Sequence, residues 1–336
     1  MSMHPFLYPF ESEERWISYL KHCLGWDENA LTEAKTFLKR RLIPVLHGTE
    51  IALFLGISPK LIGYMVRNPH RYYRTFDIEK KNGKYREITA PRVFLKTVQR
   101  YILDCILSPL DLHESAVGFR RGFTPAIGAQ RHIKNTYIWN IDLKDFFPSI
   151  HQERVTEAFK KMGYSSQAAY FLSGLCCLGG RLPQGAPTSP ALSNYIFFEL
   201  DEKIFEHTQR LKIVYTRYAD DLSFSSSNPI TEEFMRFVEG IIKSSGFSIN
   251  KNKTRLMGPA CRREVTGLTV NARVSIPRPI RRKIRARFHN VSLNPTSYVD
   301  KRDKLMGLAA WVNQYHVDEA KQYFNIVDSI HKSTQS

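Results

Sequence analysis

Apolar and polar positions change their spacing along the chain. Up to about residue 70 the apolar positions recur at helical intervals. They predict a helix over Leu31–Leu42 that stops near Pro44, followed by a pair of helices at Thr49–Leu55 and Ser58–Val66. The pair is typical of a small helix-turn-helix element or of a collar that only packs, so the role of this N-terminal extension stays open.

From Tyr72 onward, apolar and polar residues alternate instead. Tyr73–Glu79 and Tyr85–Thr89 are predicted strands, and Asn82-Gly83 lies between them. Asn-Gly between two alternating runs predicts a β-hairpin. A helix is predicted to follow over Arg92–Leu107.

The middle of the chain alternates strands with helices. Tyr137–Asp142 is a predicted strand, and Ser149 with Gln152 three residues later predicts a capping box for a helix that ends at Gly163. The remaining predicted elements are a helix opened by Ser189-Pro190, strands at Leu211–Tyr218 and Leu222–Ser225, a helix from Thr231 to Gly246 with Phe234, Phe237, Val238, Ile241 and Ile242 facing inward, a strand at Val265–Asn271, and helices from Ile280 to the end. The pattern indicates an α+β fold with an antiparallel hairpin at its centre.

The net charge of the chain indicates what kind of partner it binds. The 336 residues include 49 Lys and Arg against 32 Asp and Glu, a net charge of +17. Such an excess predicts a polyanionic partner, and nucleic acid is the first candidate. The cations cluster at Lys80–Arg86 and Arg278–Arg287, where a charge run without acidic residues favours phosphate contacts over a merely solvated face.

The sequence also predicts where the protein works. Its five cysteines form no CxxC pair, which favours reduced core thiols. No apolar run reaches the ~18–20 residues that span a bilayer, and Met1–Arg15 lacks the apolar stretch of a signal peptide. We therefore expect a soluble cytoplasmic protein with no membrane partner.

Two acidic segments follow predicted strands. Asp142 ends one apolar strand, and Asp220-Asp221 sit at the turn of a later hairpin. Three carboxylates brought together would repel one another unless cations neutralised them, and Mg²⁺ prefers such oxygen ligands. Either segment alone is more often a cap or a solvated turn. Between them lies Leu182–Pro190, a loop of Pro and small residues that runs into a helix start and suits anion contacts.

These segments together resemble a known family. Asp142–Phe147, Leu182–Gly185 and Tyr218–Asp221 have the order and spacing of motifs A, B and C of reverse transcriptases. The resemblance covers about residues 72–315, with Gly246–Asn250 and Lys253 similar to motif D. The triplet Val265-Thr266-Gly267 resembles one typical of bacterial retron reverse transcriptases. Gly128–His132 resembles their NAxxH segment in part, since Gly128 stands where the family has Asn.

The resemblance implies a right-hand polymerase with fingers, palm and thumb. Its palm would hold the antiparallel sheet, and a helical extension would precede the fingers. The expected boundaries are 1–70 for the extension, 71–136 for the fingers, 137–275 for the palm with a fingers-like insert at 151–190, and 276–336 for a basic helical thumb.

The resemblance also implies residue roles. Asp142, Asp220 and Asp221 would be catalytic and hold two Mg²⁺ ions, which stabilise the attacking and leaving oxygens of phosphoryl transfer. Phe147 would lie beneath the incoming sugar and exclude a 2′-OH, although it could also be a plain core residue. The other nucleotide-binding residues would be Lys84, Arg86, Gln184, Gly185 and Lys253, the last either near the leaving pyrophosphate or simply solvated. Nucleic acid would be bound by Arg278, Arg281, Arg282, Lys283, Arg285, Arg287, Val265, Thr266 and Gly267.

The implied function is an RNA-directed DNA polymerase that copies a cognate structured noncoding RNA into small branched DNA, in a retron antiphage defence system. Its partners would be that RNA, the DNA product, dNTPs and a retron effector protein. Two alternatives stay open. One is a group II-like or other phage-defence reverse transcriptase that uses a 3′-OH primer, and the other is an RNA- or DNA-binding scaffold that controls an effector.

Overall fold

The computed structural model describes residues 12–79, 83 and 85–332. The predicted nucleotide-binding residue Lys84 lies outside the described residues. The chain divides into two compact units. Unit 1 comprises Met1–Phe119, Leu143–Glu206 and Phe237–Asn250, and unit 2 comprises Arg120–Asp142, His207–Arg236 and Lys251–Ser336.

The first two helices of unit 1 have side-chain caps at their starts, from Ser12 and Asp27. Helices α1 to α4 span Glu13–His22, Glu28–Lys39, Glu50–Phe54 and Pro59–Arg67. The predicted start of the second helix at Leu31 is three residues late, because the Asp27 carboxylate accepts a hydrogen bond from the Ala30 amide at 2.8 Å and starts α2 at Glu28. That helix ends at Lys39 rather than Leu42, and Arg41 follows in a left-handed conformation.

The predicted hairpin is confirmed. Strands β1 (Tyr73–Glu79) and β2 (Tyr85–Pro91) pair antiparallel from Tyr73 opposite Pro91 to Glu79 opposite Tyr85. Helix α5 (Val93–Ile102) follows and continues to Leu107 as a short π-helix. The predicted helix over Arg92–Leu107 is therefore right in extent, although its last turn has wider hydrogen-bond spacing.

The rest of unit 1 corrects one predicted cap. Helix α7 (Gln152–Lys161) begins after His151, and no side chain caps its start. The Ser149 hydroxyl instead donates to the Asp145 carbonyl at 2.8 Å, because Asp145 turns the chain with a φ of +47° and brings that carbonyl within reach. The predicted capping box is therefore wrong. The other helices with residues in this unit are α8 (Ser166–Cys176), α9 (Ser189–Arg210) and α10 (Glu232–Ser244).

The predicted inward face of α10 is only partly right. Phe234, Val238 and Ile242 are buried, and Ile241 is half-buried. Phe237 is 36% exposed, because it lies on the edge of the apolar stripe rather than at its centre.

Unit 2 contains an antiparallel sheet in the order β4–β5–β3–β7. These strands are β3 (Tyr137–Lys144), β4 (Val214–Tyr218), β5 (Asp221–Ser226) and β7 (Arg255–Met257), and only the last two residues of β3 belong to unit 1. The predicted central hairpin is thus confirmed, but β4 starts at Val214 rather than Leu211. Helix α9 runs to Arg210, and Lys212 turns the chain with a φ of +54°. In unit 1, Leu143 and Lys144 pair with β6 (Ser248–Ile249).

The single strand predicted at Val265–Asn271 is wrong. The chain forms a small hairpin there, with β8 (Glu264–Val265) paired to β9 (Leu268–Thr269). Thr266 and Gly267 both have positive φ, +48° and +77°, and reverse the chain between the two strands.

The last part of unit 2 is helical, as predicted. Helices α11 (Arg278–Leu293), α12 (Arg302–Asn313) and α13 (Val317–Lys332) share a core in which the rings of Phe288 and Tyr323 stack at 4.0 Å. In the described residues, no helix combines the length and the apolar character needed to cross a membrane. The predicted core cysteines are right for Cys105, Cys176 and Cys177 and wrong for Cys23 and Cys261, which are exposed.

Candidate active site

The three predicted metal-binding acids, Asp142, Asp220 and Asp221, lie on two neighbouring strands of unit 2 and in the turn that precedes one of them. Strands β3 and β5 pair in a register that sets Asp142 opposite Asp221. Tyr218 pairs with Asp221 across β4 and β5, so Ala219 and Asp220 form a two-residue turn, with Ala219 at a φ of +56°. The sheet therefore places the three acids that the sequence predicts as one group at neighbouring backbone positions, on β3, on β5 and in the turn before β5.

Repulsion among these acids is visible in their electrostatics. Burial of the carboxyl group is the main cause that raises the pKa of Asp221 to about 7, followed by the charges of Asp220 and Asp142, although the residue as a whole is exposed to solvent. The Lys253 ammonium lowers the pKa of Asp221 through its charge. It donates a hydrogen bond to Asp142 Oδ2 at 2.7 Å, and Asp142 is almost fully buried.

These residues fit Mg²⁺ in donor chemistry. Carboxylate oxygens are the ligands that hard divalent cations prefer, and a carboxyl with a raised pKa is one that a cation would favour ionised. Across residues 12–79, 83 and 85–332, however, the structure gathers no three His, Cys, Asp or Glu side chains into a ready metal-binding cluster. The fit therefore rests on donor type and strand register.

Sequence reasoning missed a buried arginine next to this turn. Arg217 is fully buried on β4, and its Nη1 donates to the Ala219 carbonyl at 3.3 Å. The only signal in the sequence is a charged residue placed among the apolar and aromatic positions of a strand. The guanidinium supports the backbone of the turn that carries Asp220.

His132 supports the same hairpin from outside it. Its Nδ1 lies 2.6 Å from Ser225 Oγ on β5, and its Nε2 lies 2.7 Å from Thr216 Oγ1 on β4. Burial, followed by the nearby Arg131 charge, lowers the pKa of His132 to about 3, so the ring is neutral. The partial match of Gly128–His132 to a family segment thus contains a histidine that joins the two strands beside the acids. It follows α6 (Pro125–Gln130) in the chain.

Unit 1 brings together predicted nucleotide-binding residues. Phe147 and Gly185 line one cavity of about 660 Å³. The Gln184 carbonyl accepts a hydrogen bond from the Thr89 amide at 2.9 Å, which ties this loop to strand β2. Gly185 has a φ of +135°, and a Cβ there would lie 2.9 Å from the Thr89 carbonyl oxygen. The loop therefore requires glycine for its contact with the hairpin that carries the exposed Arg86.

The cations of the basic helix α11 are of two kinds: some form ion pairs within the protein, and others are exposed to solvent. Arg281 Nε lies 2.8 Å and Arg285 Nη2 3.3 Å from the carboxylate of Glu319 on α13. Two of the cations that the sequence predicts to contact phosphates are thus paired with an acid from a distant part of the sequence. The other cations of this run are exposed to solvent: Arg278, Arg282, Lys283 and Arg287.

The triplet Val265-Thr266-Gly267 forms the tip of the β8–β9 hairpin. Val265 is fully buried, so contacts with a partner there would have to come from the other two residues. The Thr266 hydroxyl donates to the Val265 carbonyl at 2.8 Å.

Comparison with known proteins decides the family. The profile of the family "Reverse transcriptase (RNA-dependent DNA polymerase)" matches residues 78–272. The retron Ec86 reverse transcriptase of Escherichia coli is 34% identical over 271 residues, which are 79% of this chain and 85% of that protein. The retron Mx65 reverse transcriptase of Myxococcus xanthus is 32% identical over 85% of this chain and 72% of that protein. The chain belongs to the bacterial retron reverse transcriptases.

Membership of this family confirms the expected α+β right-hand polymerase fold and the RNA-directed DNA polymerase activity. Reverse transcriptases are in general metal-dependent enzymes. A solved telomerase of Candida albicans, in complex with a TWJ fragment of telomeric RNA, is also similar at 12% identity and a TM-score of 0.44. That similarity covers 77% of this chain and 63% of that one.

Proposed function

We propose that this reverse transcriptase copies a cognate structured noncoding RNA into small branched DNA, msDNA, within a retron antiphage defence system. The observation that carries the proposal is the register of β3 and β5, which sets Asp142 opposite Asp221 beside Asp220. The similarity to retron enzymes over most of the chain supports the kind of template. Its partners in the cytoplasm would be this RNA, the DNA product, dNTPs and an effector protein.

Asp142, Asp220 and Asp221 would hold Mg²⁺. When bound, two such ions would offset the negative charge that develops on the phosphoryl group during transfer. The protein contributes a rigid sheet that fixes the positions of the acids, with Arg217 and His132 supporting the hairpin. The Lys253 side chain forms an ion pair with Asp142, and near a leaving pyrophosphate the same group would offset the negative charge of the pyrophosphate.

The residues of unit 1 would select and hold the nucleotide. The Phe147 ring would exclude a ribose 2′-OH and thereby favour dNTPs over rNTPs. Gly185 leaves room at the loop because it has no side chain, and its neighbour Gln184 would line the pocket. Arg86 on the hairpin, together with Lys84, would bind the triphosphate through positive charge.

The basic helix α11 would grip the template–primer duplex. Its exposed cations would contact phosphates, and such contacts give an affinity that falls steeply with salt. Thr266 and Gly267, at the tip of the β8–β9 hairpin, would add contacts to the structured RNA.

The test is to co-express the protein with the noncoding RNA encoded beside its gene and to isolate small DNA. The expected product is DNA joined to RNA, which a 2′,5′-debranching enzyme releases. The Asp220→Asn variant should yield none, while the matched variant Asp328→Asn, on the exposed surface of α13, should yield normal amounts. Branched DNA in the Asp220→Asn cells would overturn the assignment of the acids, and purely linear DNA would favour a 3′-OH primer.

A further inference from the structure

The cavity beside Phe147 has a second aromatic residue in its wall. Phe119 lines the same space, and the centroids of the two rings lie 6.2 Å apart with their planes tilted by 47°. We propose that Phe119 is a positioning residue for sugar selection: it holds the Phe147 ring where that ring excludes a 2′-OH. This inference rests on the role proposed above for Phe147.

The backbone of Phe119 carries a conformational cost. Its φ is +58°, in the left-handed region where a bulky side chain is unfavourable. Glycine adopts this region freely, but the positive φ falls on Phe119 and not on its neighbour Gly118. A phenylalanine at this position is therefore unfavourable for folding, and strained residues of this kind cluster at ligand-binding sites.

Buried contacts hold the strained backbone in place. Asn194, on α9, is almost fully buried, and its side-chain amide donates to the Gly118 carbonyl at 2.9 Å. Helix α9 begins directly after the loop that contains Gly185. The same helix thus follows the loop in the cavity wall and fixes the peptide that precedes Phe119.

Phe119 itself is not held as a core residue. It is 48% exposed, whereas Phe146, the other ring packed on Phe147, is 4% exposed. Phe146 packs in turn against Phe197 and Phe247 and belongs to the interior. Phe147 therefore contacts one ring that belongs to the core and one ring, Phe119, that lines the cavity. Removing the Phe119 ring would leave Phe147 free to turn aside from a ribose.

The test measures single-nucleotide insertion by the purified full-length protein on an RNA template with a DNA primer. The quantity is kcat/KM for dATP divided by kcat/KM for ATP. Phe147→Val should lower this ratio about tenfold or more, and Phe119→Gly should lower it by a similar factor. The double variant should match Phe147→Val within about twofold, because both changes act through one ring.

Two further variants separate positioning from folding. Phe119→Tyr retains an aromatic ring and should therefore retain the wild-type ratio of kcat/KM for dATP to kcat/KM for ATP. Phe119→Gly should melt no lower than Phe119→Ala, because glycine adopts a φ of +58° without strain. A loss of selectivity in a variant that remains folded is then due to the missing ring.

The outcomes are distinguishable. If Phe147→Val leaves the ratio unchanged, the proposed role of Phe147 fails and the inference fails with it. If Phe147→Val lowers the ratio but Phe119→Gly does not, only the inference about Phe119 is overturned. Equal losses of kcat/KM for dATP and ATP in Phe119→Gly would also overturn it, since a merely structural residue would affect both nucleotides alike.

Discussion

Lys253 donates a hydrogen bond to Asp142 at 2.7 Å, and so joins a cation of the segment after β6 to an acid on β3. The lysine is more than half exposed, whereas the Asp142 side chain is nearly buried. The ammonium therefore reaches from solvent into the acidic group, where it offsets part of the repulsion among the carboxylates.

Replacing Lys253 should slow catalysis without unfolding the protein. Lys253→Met removes the positive charge beside Asp142, so kcat should fall about tenfold to a hundredfold, and Lys253→Arg should recover part of the loss. Steady-state primer extension measures both. The matched control is Lys251→Met, an exposed lysine of the same segment. Equal rates for Lys253→Met and Lys251→Met would show that Lys253 is only a solvated side chain.

Gly185→Ala should displace the loop from the hairpin. Its Cβ would meet the Thr89 carbonyl and the Ile88 side chain at 2.9 Å, and its φ of +135° adds strain. We expect a loss of about 2 kcal/mol or more in the free energy of unfolding and a raised KM for dNTPs. Chemical denaturation and dNTP titration measure the two effects.

The control for Gly185 is Gly179→Ala. Gly179 also has a positive φ, +57°, but nothing lies within 4 Å of its added Cβ. Its replacement should cost only the backbone strain, about 1 kcal/mol, and leave the KM unchanged. Similar effects at both glycines would refute the importance of the close contact with Thr89.

Much of this fold and site is readable from local patterns. The alternation around Asn82-Gly83 predicts the first hairpin, and acids at the ends of Tyr137–Asp142 and after Tyr218 predict the acidic group, because neighbouring antiparallel strands bring them to one edge. These patterns are local, so they predict correctly those features that depend on one helix, strand or turn.

The missed features depend on contacts far apart in sequence or on unfavourable backbone. Val265–Asn271 alternates like one strand, and its reversal requires a positive φ at Thr266, which a β-branched residue disfavours. The pairing of Arg281 with Glu319 joins two helices, so the charge run alone could not reveal it. The capping box predicted at Ser149 failed because α7 begins only after His151, while the Ser149 hydroxyl donates to the Asp145 carbonyl in the preceding turn.

The neutral His132 should make the stability of the protein fall in acid. Its pKa is about 3 in the folded state, against an ordinary value of 6.5. Between these values the unfolded chain binds a proton that the folded one does not, so this contribution to stability is lost as pH falls from about 6.5 toward 3. Denaturation curves recorded between pH 4 and pH 8 measure the slope.

The variant His132→Gln tests the same residue. It should lower stability by about 2–4 kcal/mol at pH 7, because it breaks the contacts with Thr216 and Ser225. Its deficit relative to the wild type should shrink as the pH falls. His289→Gln, at an exposed position on α11, serves as the control and should leave the slope unchanged. A deficit for His132→Gln that is independent of pH would contradict the buried neutral ring.

Replacing two neighbouring arginines of α11 should affect different properties, one the stability of the protein and the other the salt dependence of nucleic-acid binding. Arg281 is paired with Glu319, whereas Arg282 next to it is exposed. Arg281→Ala should lower the free energy of unfolding by roughly 1 kcal/mol and leave the salt dependence of template–primer binding nearly unchanged. Arg282→Ala should leave stability unchanged and reduce the slope of log Kd against log salt concentration by about one, because one phosphate contact is lost. Binding measured at several salt concentrations, together with thermal melting, separates the two. If Arg281→Ala changed the slope and Arg282→Ala did not, the proposed assignment of Arg281 to helix packing and of Arg282 to phosphate contact would be wrong.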